Sequence, residues 1–282
     1  MDDHKRSLLS VHVAILFLGV TGLFSKLVEL PAIDIIAYRG ILAALTLLII
    51  LAITRGAVRI HNLKHLALMI GLGLLLGIHW VSYFYSMQVS GIAVGMIALF
   101  TYPVMTVFIE PLFQGDKPKP KDIFCGLVML TGVAFIVPDF SASNSVTIGI
   151  FWGIFSAAFF SLRNVLQKHY LSQYGGLTSM LYQSFVAGII ALPFISLPPS
   201  SITANQWLLL LILASVFTAL PHSLFASSLR HLKAKSVGLI ASLQPLYGAI
   251  LAFLVLSEQP SFSTLLGGII ILGAATYESY SA

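Results

Sequence analysis

The segment "GIHWVSYFYSMQ" sets His79, Tyr83 and Ser86 at i, i+4 and i+7, a spacing that puts all three on one helical face. Trp80 and Phe84 form a neighbouring stripe. Aromatic rings with a few polar tips suit a small amphipathic or cationic solute, held by stacking, hydrogen bonds and cation–π contact. The alternative for Tyr83 and Tyr85, near the end of the run, is an aromatic belt at a membrane interface; His79 lies deeper. Arg39, beside Tyr38 in "IIAYRGILAALTLLIIL", poses a different problem. An ionisable group inside an apolar span costs at least ~2.5 kcal/mol and usually faces the interior of a bundle. Arg39 either pairs with Asp34 or a backbone carbonyl, or it holds a carboxylate or other anion.

Further polar groups recur at depth. Glu110 closes "MIALFTYPVMTVFIE", and Arg163 stands at similar depth in "FSLRNVLQK". A Glu110–Arg163 pair would neutralise both and act as an inner gate; the alternatives for Glu110 are snorkelling to water, pairing with Lys117, or carrying a proton. His79 and His222, in "LPHSLFASSLR", are coupling candidates because histidine titrates near neutral pH, or else neutral core histidines. Tyr102, Asn164, Tyr182, Gln183, Gln244 and Tyr247 supply uncharged hydrogen-bonding groups that fit a zwitterion, although helices also use such groups to bind one another. Pro103 and Pro245 each interrupt an apolar run and free a backbone carbonyl one turn earlier. They serve as hinges beside a cavity or as static kinks.

The elements that hold these residues are membrane helices. The chain has 282 residues, 58% of them hydrophobic and 9% charged, with mean hydropathy +0.96. A soluble chain carries about 25% charged residues. Spans of about 20 apolar residues are expected at 9–28, 33–53, 66–86, 91–113, 122–138, 147–167, 177–197, 206–228, 236–257 and 262–280. The N-terminal stretch reads as a retained span and not as a cleaved signal, since it lacks a small-residue cleavage site. A single cysteine, Cys125, excludes an internal disulfide and a multi-cysteine metal site. The net charge of +5 reflects basic loops. With Lys5, Arg6, Arg55, Arg59, Lys64, Lys117, Lys119, Lys121, Lys168, Arg230, Lys233 and Lys235 all on one side, the positive-inside rule puts both termini in the cytoplasm.

The two halves of the chain resemble each other. A shift of 142 residues pairs Pro103 with Pro245, Phe17 with Phe159, Lys26 with Lys168, Ser86 with Ser228 and Pro118 with Pro260. A shift of 144 lays "AYRGI" on "LYQSF", setting Arg39 against Gln183. Each copy, 1–140 and 141–282, holds five spans, an odd number, so the second must enter the membrane inverted. The charges agree: Lys117, Lys119 and Lys121 correspond to Gln259, Ser261 and Ser263, whereas Arg230, Lys233 and Lys235 correspond to Gln88, Gly91 and Ala93. The fold class expected is all-α, ten transmembrane helices as two inverted five-helix repeats around a central cavity. Inverted halves that exchange conformations open a midplane site to each side in turn.

The elements "FTYP" and "SLQP", the turn "LSEQPS" and the helix "GGIIILGA" resemble the drug/metabolite transporter superfamily, EamA type, over essentially the whole chain. The second copy fits better, through Pro245, Glu258 and Gly267–Gly268–Gly273; the first departs, with Asp116 at its turn and "FIEPLF". The resemblance implies a ten-helix basket, with a cavity lined by helices 1–4 and 6–9, and export or exchange of small metabolites, often amino acids. The expected setting is the cell (inner) membrane, with a small-molecule solute, proton or exchange coupling, no cofactor, no metal and no nucleic acid, as a monomer or homodimer. Import of a quaternary amine such as choline, or passive flux through a channel, are the alternatives. An enzyme is disfavoured because neither H-E-x-x-H nor G-x-S-x-G occurs.

Overall fold

The computed structural model describes residues 3–60, 62–114, 120–136, 144–222, 224, 240–241 and 243–281, and all regular structure among them is helical. Lys117, Lys119, Arg230, Lys233, Lys235 and the expected repeat boundary at 140/141 lie outside the described residues. Helices α1 (Asp3–Thr21), α2 (Phe24–Leu27), α3 (Ala32–Ile53), α4 (Leu63–Ser90), α5 (Ile92–Leu99), α6 (Tyr102–Ile109), α7 (Pro111–Gln114) and α8 (Pro120–Ile136) make the first half. The second comprises α9 (Ser145–Leu171), α10 (Gly176–Ala191), α11 (Ala204–Ala214), a π-helical turn Ser215–Ala219, α12 (Gln244–Leu256) and α13 (Phe262–Ser281). Seven segments are long and apolar enough to cross a membrane, and Ile123–Ile136, Gln244–Leu256 and Phe262–Ala274 are shorter apolar helices. Leu48, Ile49, Phe151, Leu254 and Ile269 are exposed, which suits lipid and not water. The chain is a multi-pass membrane protein.

Local signals explain the helix ends. Asn62 caps α4 by accepting from the Lys64 and His65 amides, Asn144 caps α9 in the same way, and Thr203 with Gln206 forms a capping box on α11. The two prolines are not mid-helix kinks. The run from Ile92 is broken at Phe100–Thr101, and Pro103 lies in the first turn of α6. Pro245 likewise lies in the first turn of α12. There the missing amide costs nothing, because first-turn amides have no intrahelical partner. A penalty of about 3 kcal/mol is thus avoided by splitting the helix.

The principal packing pairs are α4 with α9, α3 with α10, α8 with α13 and α4 with α10; α1 packs on α12 and α11 on α3. α3 and α10 run antiparallel and meet backbone to backbone. A Cβ on Gly40 would lie 2.7 Å from Gly188 Cα and 2.8 Å from the Ser184 carbonyl, and one on Gly188 would lie 2.7 Å from the Ile41 nitrogen. Only glycine allows that approach. The main core joins the end of α1's span to α3, α4 and α5 through Val28, Ile35, Ile36, Phe84, Met87, Ile92 and Met96.

Candidate functional site

Arg39 is 2% exposed, with its guanidinium over the Trp80 ring at 4.3 Å and the Phe84 ring at 5.2 Å. Its Nε donates to Thr218 Oγ1 at 2.8 Å. That hydroxyl donates in turn to the Leu213 carbonyl, five residues back, at 2.7 Å. The π-helical turn makes this possible, since widening the helix by one residue brings the Leu213 carbonyl within reach of Thr218. With its proton committed, Thr218 offers Arg39 lone pairs only. Arg39 Nη1 is left buried without a partner, as are Tyr83 Oη and Ser184 Oγ. Asp34, the expected counter-ion, is spent elsewhere: its carboxylate accepts from the Ser196 and Leu197 amides at 2.7 and 3.2 Å.

His79 lies one turn from Tyr83 and stacks on it at 5.9 Å, and on Phe160 at 4.5 Å. Phe160 meets Tyr102 edge-on at 4.9 Å. Ser156 Oγ donates to the His79 carbonyl at 2.8 Å and lies 2.7 Å from His79 Nδ1. Because that serine has one hydrogen, Nδ1 must carry the imidazole proton, and Nε2 is left as an acceptor.

A second buried guanidinium belongs to Arg163. Nε donates to Gln183 Oε1 at 2.7 Å, Nη1 to Asn164 Oδ1 at 2.8 Å, and Nη2 faces Met180 Sδ at 3.3 Å. Gln183 passes the contact to Gln167 Oε1 at 2.8 Å. Arg163 is therefore held by neutral groups, and the expected Glu110–Arg163 pair is replaced by Glu110–Lys168 at 2.7 Å. Lys168 comes one turn beyond Asn164 on α9, closer to the membrane face where Glu110 ends α6, and its stem reaches the carboxylate that Arg163 does not. Arg39 lies over Trp80, next to His79 on α4, and Phe160, on which His79 stacks, comes three residues before Arg163 on α9, so these three groups border one interior region. His222, three residues past the π-helical turn, is half-buried.

The remaining candidates lie around that region. Tyr38 Oη donates to the Leu197 carbonyl at 2.8 Å and Tyr182 Oη to the Val58 carbonyl at 3.1 Å, so both hydroxyls pin loops. Gln244 reaches the Leu18 carbonyl at 3.4 Å, and Tyr247 packs beside Gly19 of α1. Pro103 and Pro245 head their half-helices. Two elements escaped sequence reasoning. Thr218 had no signal, because a π-helical turn leaves no pattern in residue types. The second is an ion pair, Lys26–Glu258 at 3.6 Å, whose Glu258 also accepts from the Ile92 amide at 2.9 Å, beside Gly91 at φ 92°. The 142-residue shift that pairs Lys26 with Lys168 was its available signal.

Each ion pair borders a cleft. One, about 240 Å³, is lined by Ser90, Gly91, Ala249 and Glu258 among others; the second, about 170 Å³, by Glu110, Phe113, Val165, Lys168 and His169. Near the first, Gln88 ties two helices together, accepting from the Ala32 amide and donating to the Ser25 and Leu30 carbonyls. Near the second, Thr178 donates to the Ala57 carbonyl and His65 Nδ1 lies 2.9 Å from Tyr174 Oη.

The model of the EamA-like transporter family matches the chain twice, over residues 5–137 and 147–277. An uncharacterized transporter, YxxF, of Bacillus subtilis is 23% identical over 267 residues, covering 92% of this chain and 85% of that protein. The pseudopaline exporter CntI of Pseudomonas aeruginosa is 25% identical over 248 residues, covering 87% and 85%. An S-adenosylmethionine uptake transporter of Rickettsia felis is 23% identical over 212 residues, covering 74% and 70%. A solved crystal structure superposes with a TM-score of 0.68 at 14% identity, over 96% of this chain and 95% of the other, so the fold is shared.

Proposed function

The chain belongs to the EamA-like transporter family, and from that premise we propose that it is a secondary transporter of small carboxylate-bearing metabolites, amino acids or related compounds, exported or exchanged by alternating access. The observation that carries this reading is Arg39: a fully buried guanidinium, stacked on Trp80, with an unpartnered Nη1 and no carboxylate in contact among the described residues. An uncompensated buried charge is strongly destabilising. A solute carboxylate is the partner that would complete it, with Tyr83 Oη and His79 Nε2 as adjoining polar contacts.

Alternating access needs two related halves, and the pairing of elements supports a pseudo-two-fold axis through the α3/α10 crossing. Gly40 and Ser184, equivalent under the 144-residue shift, touch there. Asp34 and Thr178, equivalent under the same shift, each bind the loop after the opposite helix, and so do Tyr38 and Tyr182. The contacts of α4 with α9 and of α1 with the π-helical turn form another related pair. Ten helices in two inverted copies, 1–140 and 141–282, account for these relations. So do the half-helices that Pro103 and Pro245 begin, since discontinuous helices mark the binding region of such repeats. In this reading Lys26–Glu258 closes one face and Lys168–Glu110 the other. Arg55, Arg59, Lys64, Lys121 and Lys168 share the second face, which the positive-inside rule makes cytoplasmic in the cell membrane.

Counterflow into liposomes holding the purified protein tests this. Saturable uptake of a labelled amino acid, abolished in Arg39→Ala, is the expected result. Unsaturable flux would make the protein a channel. Uptake of choline that survives Arg39→Ala would move the solute to the aromatic face of α4 and make Arg39 a structural residue.

A further inference from the structure

Resting on the transporter reading above, we infer that the solute is an organic dicarboxylate whose two acidic groups face Arg39 and Arg163. The interior region holds two guanidiniums. Neither has a carboxylate partner among the described residues, because Asp34 is bound to the Ser196 and Leu197 amides and Glu110 to Lys168. Each arginine keeps spare donors. Arg39 uses one of its N–H groups, on Thr218, and Arg163 uses three, on Gln183, Asn164 and Met180, out of five in a guanidinium.

The two arginines belong to one site and not to two separate ones. Arg39 precedes Gly40 on α3 and Gln183 precedes Ser184 on α10, and Gly40 and Ser184 are the residues that touch at the crossing. Gln183 is the side chain that holds Arg163 Nε. The other polar groups named at this site are uncharged: His79 as the Nδ1–H tautomer, Tyr83, and Ser184, whose Oγ is also unpartnered.

Charge then decides the class. A cation would add a third positive charge to an apolar interior, and a zwitterion would pair one guanidinium but bring an ammonium of its own, leaving the net charge unchanged. A monocarboxylate would neutralise one. Two carboxylates on a short carbon chain neutralise both, and bidentate geometry at a guanidinium favours carboxylate oxygens.

The test uses the full-length protein in liposomes with labelled succinate as the probe. Saturable succinate counterflow is expected, with leucine at least about tenfold weaker as a competitor. Arg39→Gln and Arg163→Gln should each weaken succinate binding by on the order of 30-fold or more, the penalty of stranding one member of a buried charge pair. Should either variant fail to fold, wild-type protein answers alone: succinate, and not leucine, should raise its Tm through ligand linkage. Saturable leucine exchange that succinate does not inhibit would overturn the dicarboxylate and leave the transporter standing. Preference for glycerol phosphate over succinate would overturn it in favour of one phosphate group. Absence of both exchange and stabilisation by any of the three would overturn this inference together with the reading of Arg39 as a carboxylate site.

Discussion

Neutralising Glu258 and neutralising Glu110 should bias the protein toward opposite sides of the membrane. Lys26 and Glu258 are 3.6 Å apart, with side chains 35% and 24% exposed, and Lys168–Glu110 spans 2.7 Å with Lys168 73% exposed. In bulk water the Coulomb attraction at 3.6 Å is about 1 kcal/mol. Measured values for exposed pairs run from about 0.2 to 1 kcal/mol. The first pair belongs near the top of that range and the second, despite its shorter contact, near the bottom, because its lysine is mostly in water. A loss of that size shifts a two-state equilibrium by about 1.4- to 5-fold. Glutamine is the right replacement, since its amide oxygen keeps the acceptor for the Ile92 amide and removes the charge alone. In a Cys125→Ser background, Met105→Cys on α6 gives one thiol at the half-buried edge of the core. Glu258→Gln should speed its labelling by an impermeant maleimide added from the Glu258 side, by up to about 5-fold. Glu110→Gln should raise labelling from the opposite side by a smaller factor, near 1.5-fold. Changes in the same direction for both glutamine variants, or no dependence on the side of addition, would refute the paired-latch reasoning.

Tyr83→Phe removes a hydroxyl that is buried without a partner, so the empty protein should keep or slightly gain stability. The same change should weaken solute binding by about 2- to 13-fold, the worth of one neutral hydrogen bond, read from the half-saturation concentration of counterflow. Thr218→Val should lower stability by about 1–3 kcal/mol, since it strands the Arg39 Nε donor, while Thr218→Ser should stay close to wild type; chemical unfolding of the purified protein compares them. Gly188→Ala would put a methyl 2.7 Å from the Ile41 nitrogen, and the resulting overpacking should cost about 1–3 kcal/mol in the same assay.

The all-helical, membrane-spanning character was legible because hydrophobic run length is a property of sequence alone, and seven of the runs are spans of sufficient length among the described residues. So was the duplication, since Lys26 and Lys168, or Tyr38 and Tyr182, keep their types and spacing. Arg39 was legible as a problem: an arginine in an apolar run announces its own cost. What stayed hidden were choices among partners. Asp34 is five residues from Arg39, and nothing in the spacing says that it turns to the Ser196 and Leu197 amides instead. Glu110 had Arg163, Lys117 or water to choose from, and the packing of α9 against α6 brought Lys168 to it. The prolines misled for a related reason. A mid-run proline reads as a kink, yet a split helix suits the same sequence by putting the proline in a first turn, where its missing amide has no intrahelical partner to lose.

The uncompensated arginines also set how the carrier should cycle. In the alternating-access proposal, reorientation carries the interior region past both closed faces, and without solute it does so with two guanidinium charges that neutral groups hold but no carboxylate among the described residues offsets. Each is costly by several kcal/mol even after relaxation. Bound carboxylate cancels that charge, so the loaded protein crosses a lower barrier than the empty one. A difference of only 1.4 kcal/mol between the barriers would make exchange about tenfold faster than net flux. Preloading liposomes with unlabelled solute should therefore accelerate uptake of label by about that factor or more. Arg39→Gln removes one charge from the empty carrier and should narrow the gap from the other direction, slowing exchange while net flux falls less. Equal rates into empty and preloaded vesicles would mean that water or ions reach the guanidiniums during reorientation, and that their charge places no constraint on the cycle.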